Sequence, residues 1–370
     1  MHTTAASHGA ALSAYEAPSR IVAVIDPDAR QRDRLDRVLW PLYRASLFAD
    51  VDSAVGRLRT APAAILLADT LEPVKGVSPV AALRRERTFE GVPLVVLSTN
   101  GRQPDGAVDA VIRMPAPDRE LIETVSRLGN RAVEAGWERL PAGPREALRR
   151  SLSAFTGLTQ LIGNGTKLDF DMVSHACAPV LDVVKQATHC HLFEGLRNHN
   201  HLEFVHSVRV STLLALFGFT IGLDDTSLMT LASAGLVHDI GKTVLPPEVV
   251  NKVGALTPTE METARSHVHL TVQYLEKQSD APRSVIAVAG QHHERMDGSG
   301  YPRGMPGEQI NDLSRMAAIV DVFCALTERR PHRAAMGPFQ ALEVMQETIR
   351  EKLDQRLVRV FSGMLVKAAA

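Results

Sequence analysis

The chain has 370 residues, of which 22% are charged and 45% hydrophobic, with a formal net charge of −1. That length suggests two or three domains, each able to bury a core, and the balanced charge excludes a global field that draws in nucleic acid or anionic lipid. Three cysteines without paired spacing argue against a disulfide framework and for a reducing compartment. Residues 1–19 lack a basic start and an apolar middle, so they read as a disordered tail and the protein as cytoplasmic. No apolar run reaches the roughly 18 residues of a transmembrane helix, so no membrane span is expected.

Over residues 20–135, the short apolar runs IVAVID (21–26), AILLAD (64–69), PLVVLS (93–98) and AVIRMP (110–115) alternate with helix-like stretches. Continuous apolar runs between helices predict a parallel sheet covered on both faces, a doubly wound α/β (flavodoxin-like) domain. In such folds the chemistry lies beyond the carboxyl ends of the strands, which here carry Asp26, Asp69, Ser98 and Met114-Pro115.

That set resembles the receiver domain of bacterial two-component systems. The resemblance implies Asp69 as phosphoacceptor, Asp26 in an acidic corner for Mg²⁺, Ser98 as the switch hydroxyl and a histidine kinase as partner. Two departures stand out. Asp26-Pro27-Asp28 replaces a pair of adjacent acids, and Met114, with Arg113 before it, stands where the family has a lysine next to the proline. A working phosphoacceptor and a pseudo-receiver used for docking or dimerisation both remain open.

Residues 136–200 lose the strand pattern and read as a helical connector offering homodimer contacts, although no sustained heptad specifies them. Residues 201–370 are nearly all helical. Eight of the fourteen histidines lie beyond residue 200, and several polar groups stand within or directly beside helical runs. They are His206 in EFVHSVRV, His238-Asp239 in LVHDIGK, His267 in RSHVHL, His292-His293 after VIAVAG, and Asp321 in MAAIVDVF. Burying an unpartnered carboxylate is costly. Convergence on metal ions explains all of these groups at once, and imidazole with carboxylate suits Fe, Mn or Zn.

HDIGK (238–242) together with HHERMDGSGYP (292–302) resembles the HD-GYP subfamily of HD-domain phosphohydrolases. The ordering of His206, the segment ending at His267, and DVFCALTERRPHR (321–333) extends the likeness over about 130 residues. The resemblance implies an all-α domain that hydrolyses cyclic di-GMP with two divalent ions, iron or manganese. Their ligands would be His206, His238, Asp239, His267, His292, His293 and Asp321, with Asp239 bridging and catalytic. Members with a third ion carry a Glu four residues before the first histidine. Here that place is Leu202, and Glu203 one position later is the candidate substitute. Lys242, Arg330 and Arg333 would hold substrate phosphates, with Lys242 also assisting catalysis. Gly298, Gly300, Tyr301 and Pro302 would form a lid over the dinucleotide, and Glu294 and Arg295 would orient the histidines and that loop. Cys324 and His332 depart from the family's usual aspartate and aromatic. An enzyme regulated by its N-terminal domain is the leading expectation. A catalytically weak cyclic di-GMP-binding signalling protein is the alternative, and hydrolysis of another phosphoester is a third reading.

Overall fold

IVAVI, AILLA and LVVLS are apolar at nearly every position because the strands they form are covered on both faces. The computed structural model describes residues 21–368 apart from 41, 102–103, 198, 251, 253 and 329–334. The expected tail at 1–19, together with Arg330, His332 and Arg333, lies outside the described residues. The described chain divides into two units. One runs to Trp137 and also takes in Arg197–His201; the other comprises Glu138–Leu196 and the chain from Leu202 onward.

In the first unit, β1 (Ile21–Ile25), β2 (Arg44–Phe48), β3 (Ala64–Ala68), β4 (Leu94–Ser98) and β5 (Ala110–Arg113) form one parallel sheet in the order β2-β1-β3-β4-β5. Helices α1 (Ala29–Leu39) and α4 (Asp118–Gly136) bring Leu35, Leu39, Leu121 and Val125 to one face. Helices α2 (Val51–Arg57) and α3 (Pro79–Arg84) bring Val51, Ala54, Val80 and Leu83 to the other. The doubly wound α/β architecture expected from the strand pattern is therefore present. The sequence reading picked out four apolar runs and missed β2, RASLF, an edge strand whose buried face is only partly covered. Asp28 caps α1 by accepting from the Arg30 amide, and Asp50 caps α2 through the Ser53 amide.

The second unit is helical. Its helices are α5 (Ala142–Gly163), α6 (Asp171–Lys185), α7 (Cys190–Leu196), α8 (Leu202–Thr220), α9 (Asp225–Val237), α10 (Pro247–Val250), α11 (Pro258–Gln278), α12 (Arg283–Gln291), α13 (Asp312–Thr327), α14 (Pro338–Glu343) and α15 (Gln355–Ala368). Every residue of α8 from Phe204 to Gly218 is buried, polar ones such as His206 and Arg209 included, so this helix is covered all round and shows no single apolar stripe. By length and composition alone it could cross a membrane, and 83% of its most apolar 18-residue window is buried within the protein. Phe361 of α15 packs against Phe217 of α8 and Phe323 of α13, each at 5.3 Å. Full burial of one such ring contributes about 1.5–3 kcal/mol. Helix α11 starts in a reciprocal capping box: Thr257 accepts from the Glu260 amide, and Glu260 from the Thr257 amide.

Candidate metal centre

His206 sits on α8, His238 and Asp239 at the end of α9, His267 on α11, His292 and His293 at the end of α12, and Asp321 on α13. All but His293 are buried, and His293 is half-buried. The fold brings their ligand atoms into two groups, Asp239 with His267, His292 and His293, and His206 with His238 and Asp321.

Two carboxylates span both groups. Asp239 turns Oδ1 towards Nε2 of His267 (3.0 Å) and His292 (3.7 Å), and Oδ2 towards Nε2 of His238 (3.3 Å) and His206 (3.5 Å). Asp321 turns Oδ1 towards His206 (3.2 Å) and Oδ2 towards Nδ1 of His293 (3.6 Å).

Three of the histidines share one device. The Nδ1–H groups of His238, His267 and His292 donate to the backbone carbonyls of Gly235, Ala264 and Ala289, each three residues earlier, at 2.9, 2.7 and 2.7 Å. A carbonyl only accepts, so Nδ1 carries the proton and Nε2 presents a lone pair to the interior. His206 does the same against a carboxylate, its Nδ1 lying 2.9 Å from Glu328 Oε2. The Nε2 atoms of His206 and His238 then face each other across 3.3 Å as two lone pairs. Nε2 of His267, Nε2 of His292 and Oδ1 of Asp239 are buried without a hydrogen-bond partner. Such an arrangement is repulsive until a cation enters, so the residues fit divalent metal ions.

The electrostatics agree. Burial pushes His292 down to about 4 and takes His293 well below its usual value, so both rings are neutral ligands near neutral pH. Burial acts to raise Asp239 and Asp321. It is outweighed by the groups around them, the Lys242 ammonium beside Asp239 and the imidazoles that surround Asp321, so both carboxyls are held well below their usual value.

Lys242 places its ammonium 2.5 Å from Asp239 Oδ2 and 3.7 Å from Glu203, so Glu203 approaches the centre through the lysine. Gly241 sits where a Cβ would collide with the His267 carbonyl and the Thr271 amide, and its own N–H donates to the Thr271 hydroxyl (3.0 Å). The HDIGK turn is thus laid directly against α11.

The loop after His293 is held from within. The buried Glu294 carboxylate accepts from the amides of Arg303 (2.8 Å) and Met305 (3.0 Å). Arg295 donates to the carbonyls of His292 and Glu294. A Cβ on Gly300 would strike the Glu294–Arg295 backbone. Tyr301 stacks on His293, with ring centroids 4.5 Å apart, and Pro302 follows through a cis bond and is exposed. Cys324 is buried. Sequence reasoning missed Glu328, which lies in the ERR run and reads there as solvated charge. In the structure it is 7% exposed and also meets Arg209 at 3.4 Å.

In the first unit Asp69 is ringed by donors. It accepts from the Ser98 hydroxyl (3.0 Å), the Thr99 amide (2.8 Å) and hydroxyl (2.9 Å), and the Asn100 amide (3.3 Å). Those bonds outweigh burial and keep its carboxyl below the usual range. Burial raises Asp26, whose Oδ1 accepts from the Asp28 amide at 2.8 Å.

Residues 192–357 match the HD domain family. Among curated relatives, a 3'3'-cGAMP-specific phosphodiesterase of Vibrio cholerae is 36% identical over 40% of this chain and 32% of its own length. A cyclic di-GMP phosphodiesterase of Pseudomonas aeruginosa is 36% identical over 41% of this chain and 37% of its own. The chain therefore spans about a third of the length of these two relatives. The cyclic di-GMP phosphodiesterase response regulator RpfG of Xanthomonas campestris is 26% identical over 91% of this chain and 85% of its own. A solved HD-GYP-type protein of Bdellovibrio bacteriovorus superposes with a TM-score of 0.50 at 15% identity. It covers 68% of this chain and 81% of that one, a likeness of fold alone.

Proposed function

We propose that the chain is an HD-GYP form of the HD domain family and a metal-dependent phosphodiesterase that hydrolyses cyclic di-GMP to the linear dinucleotide or GMP, a reading supported by the match of residues 192–357 and by its relatives. The observation that carries the reading is the pair of inward-facing lone-pair clusters sharing the carboxylates of Asp239 and Asp321. Two divalent ions, iron or manganese, would be held by His206, His238, Asp239, His267, His292, His293 and Asp321, with Glu203 available to a third. Ions bound there supply positive charge for phosphoryl oxygens and acidify water.

The chain's own groups do the rest. Asp239 spans the two clusters and keeps them in register. Lys242 stands beside it as a cation for a phosphate oxygen. Glu294 and Gly300 set the loop that closes over the bound dinucleotide. The receiver-like unit, with Asp69 as phosphoacceptor, Mg²⁺ at Asp26 and a histidine kinase as donor, would regulate the hydrolase within a cytoplasmic homodimer.

The test is turnover of cyclic di-GMP by protein purified without oxygen, with metal content measured on the same sample. About two iron or manganese ions per chain with turnover that Asp239→Ala abolishes is the expected outcome. Metal with binding but no cleavage would instead describe a cyclic di-GMP receptor.

A further inference from the structure

The site's margin holds one guanidinium that the reading above leaves unused. Arg265 lies on α11 two residues before His267, is exposed, and pairs with no carboxylate among the described residues. Its guanidinium carbon stands 5.1 Å from the centroid of the Tyr301 ring. That ring is stacked on His293 at 4.5 Å with an interplanar angle of 28°, and it meets His267 edge-on at 6.4 Å. Tyr301 is therefore already engaged as a layer between the metal-ligand histidines and Arg265. Burial raises its hydroxyl pKa, so it remains a neutral phenol.

An arginine over an aromatic ring keeps its in-plane N–H donors available, and its planar fork matches two oxygens of one phosphate. Arg265 thus contacts the loop's aromatic ring, which itself stacks on a metal-ligand candidate. A cyclic dinucleotide brings a second phosphodiester, which a simple diester lacks.

We propose that Arg265, aimed by Tyr301, binds the phosphodiester of the substrate that is not being cut, and so selects two-phosphate ligands. Tyr301 then serves as a platform for Arg265 and His293 rather than as a surface for guanine. This rests on the phosphodiesterase reading above.

Two substrates separate the possibilities: cyclic di-GMP with its two phosphates and bis(p-nitrophenyl) phosphate with one. Arg265→Ala should raise KM for cyclic di-GMP about tenfold with kcat nearly unchanged, the size of one exposed charge-assisted contact. The kinetics of bis(p-nitrophenyl) phosphate and the metal content per chain should stay at wild-type values. Calorimetric affinity for cyclic di-GMP should fall by the same factor and recover in part in Arg265→Lys, which keeps the charge. Equal losses on both substrates, or loss of metal, would mean that Arg265 acts only by supporting Tyr301 and His293, and would overturn the inference. So would an Arg265→Ala protein that binds cyclic di-GMP as tightly as wild type. A wild-type protein that neither binds nor cuts cyclic di-GMP would sink the functional reading itself, and the inference with it.

Discussion

His238, His267 and His292 each spend Nδ1 on the carbonyl three residues back, which settles the tautomer and leaves Nε2 for the interior. His206 spends Nδ1 on Glu328, and a carboxylate makes its imidazole a stronger donor than a carbonyl does. Glu328→Gln keeps an acceptor in place but removes the charge. We expect metal affinity to fall about 10- to 100-fold, the usual cost of losing such a partner, read by competition with a chelator of known affinity. Unchanged affinity would show that the carboxylate serves only Arg209. The seven metal-ligand candidates were legible in the sequence because HDIGK and HHER with GSGYP resemble a known family's motifs, and because His206, His292-His293 and Asp321 stand in or directly after apolar runs. Glu328 and Arg265 were not, because an acid in ERR and an arginine on a polar helix face have nothing unusual around them.

At the level of elements, the centre is assembled from α8, the ends of α9 and α12, α11 and α13, so its geometry depends on how each helix begins and ends. Helix α11 depends on its first turn, where Glu260 accepts from Thr257 and pairs with Lys252 at 2.5 Å. Those partners, led by Lys252, take the Glu260 carboxyl down to about 2. A carboxyl depressed in the folded state contributes stability that is present above its unfolded value of 4.5 and lost as pH falls towards about 2. Amide exchange in the first turn of α11 should therefore accelerate between about pH 4.5 and 2, and Glu260→Gln should flatten that dependence. An identical profile in the variant would exclude the capping box as its source. Thr257-Pro258 with Glu260 is a start signal visible in the sequence. The missed strand β2 lacks an equivalent, since an edge strand needs no continuous apolar run.

At the scale of the molecule, the two units have separate cores, and the metal-ligand candidates lie in the second alone. Ions bound only to the folded helical unit stabilise that unit by mass action. Stripping them with a chelator should lower one calorimetric transition by about 5–10 °C and leave the transition of the α/β unit in place. A uniform shift of both would contradict that separation. The helices of residues 138–196 group with the helical unit, and Arg197–His201 groups with the α/β unit. There the Asn200 amide donates to Asn130 at 2.6 Å and His199 lies 3.2 Å from Glu134. Such long-range pairings leave no periodic trace along the chain.

By itself, the sequence determined the α/β unit, the helical unit and the likeness of the second to the HD domain family, because strand runs, helix periodicity and HDIGK with HHER and GSGYP are local patterns. Only the tertiary structure decided that Asp239 and Asp321 each face two clusters, that Tyr301 is already stacked on His293, and that Asp69 is ringed by donors from residues 98–100. Those facts depend on the direction in which side chains from distant helices and strands point. Residue identity names a donor or an acceptor, and packing alone chooses what it meets.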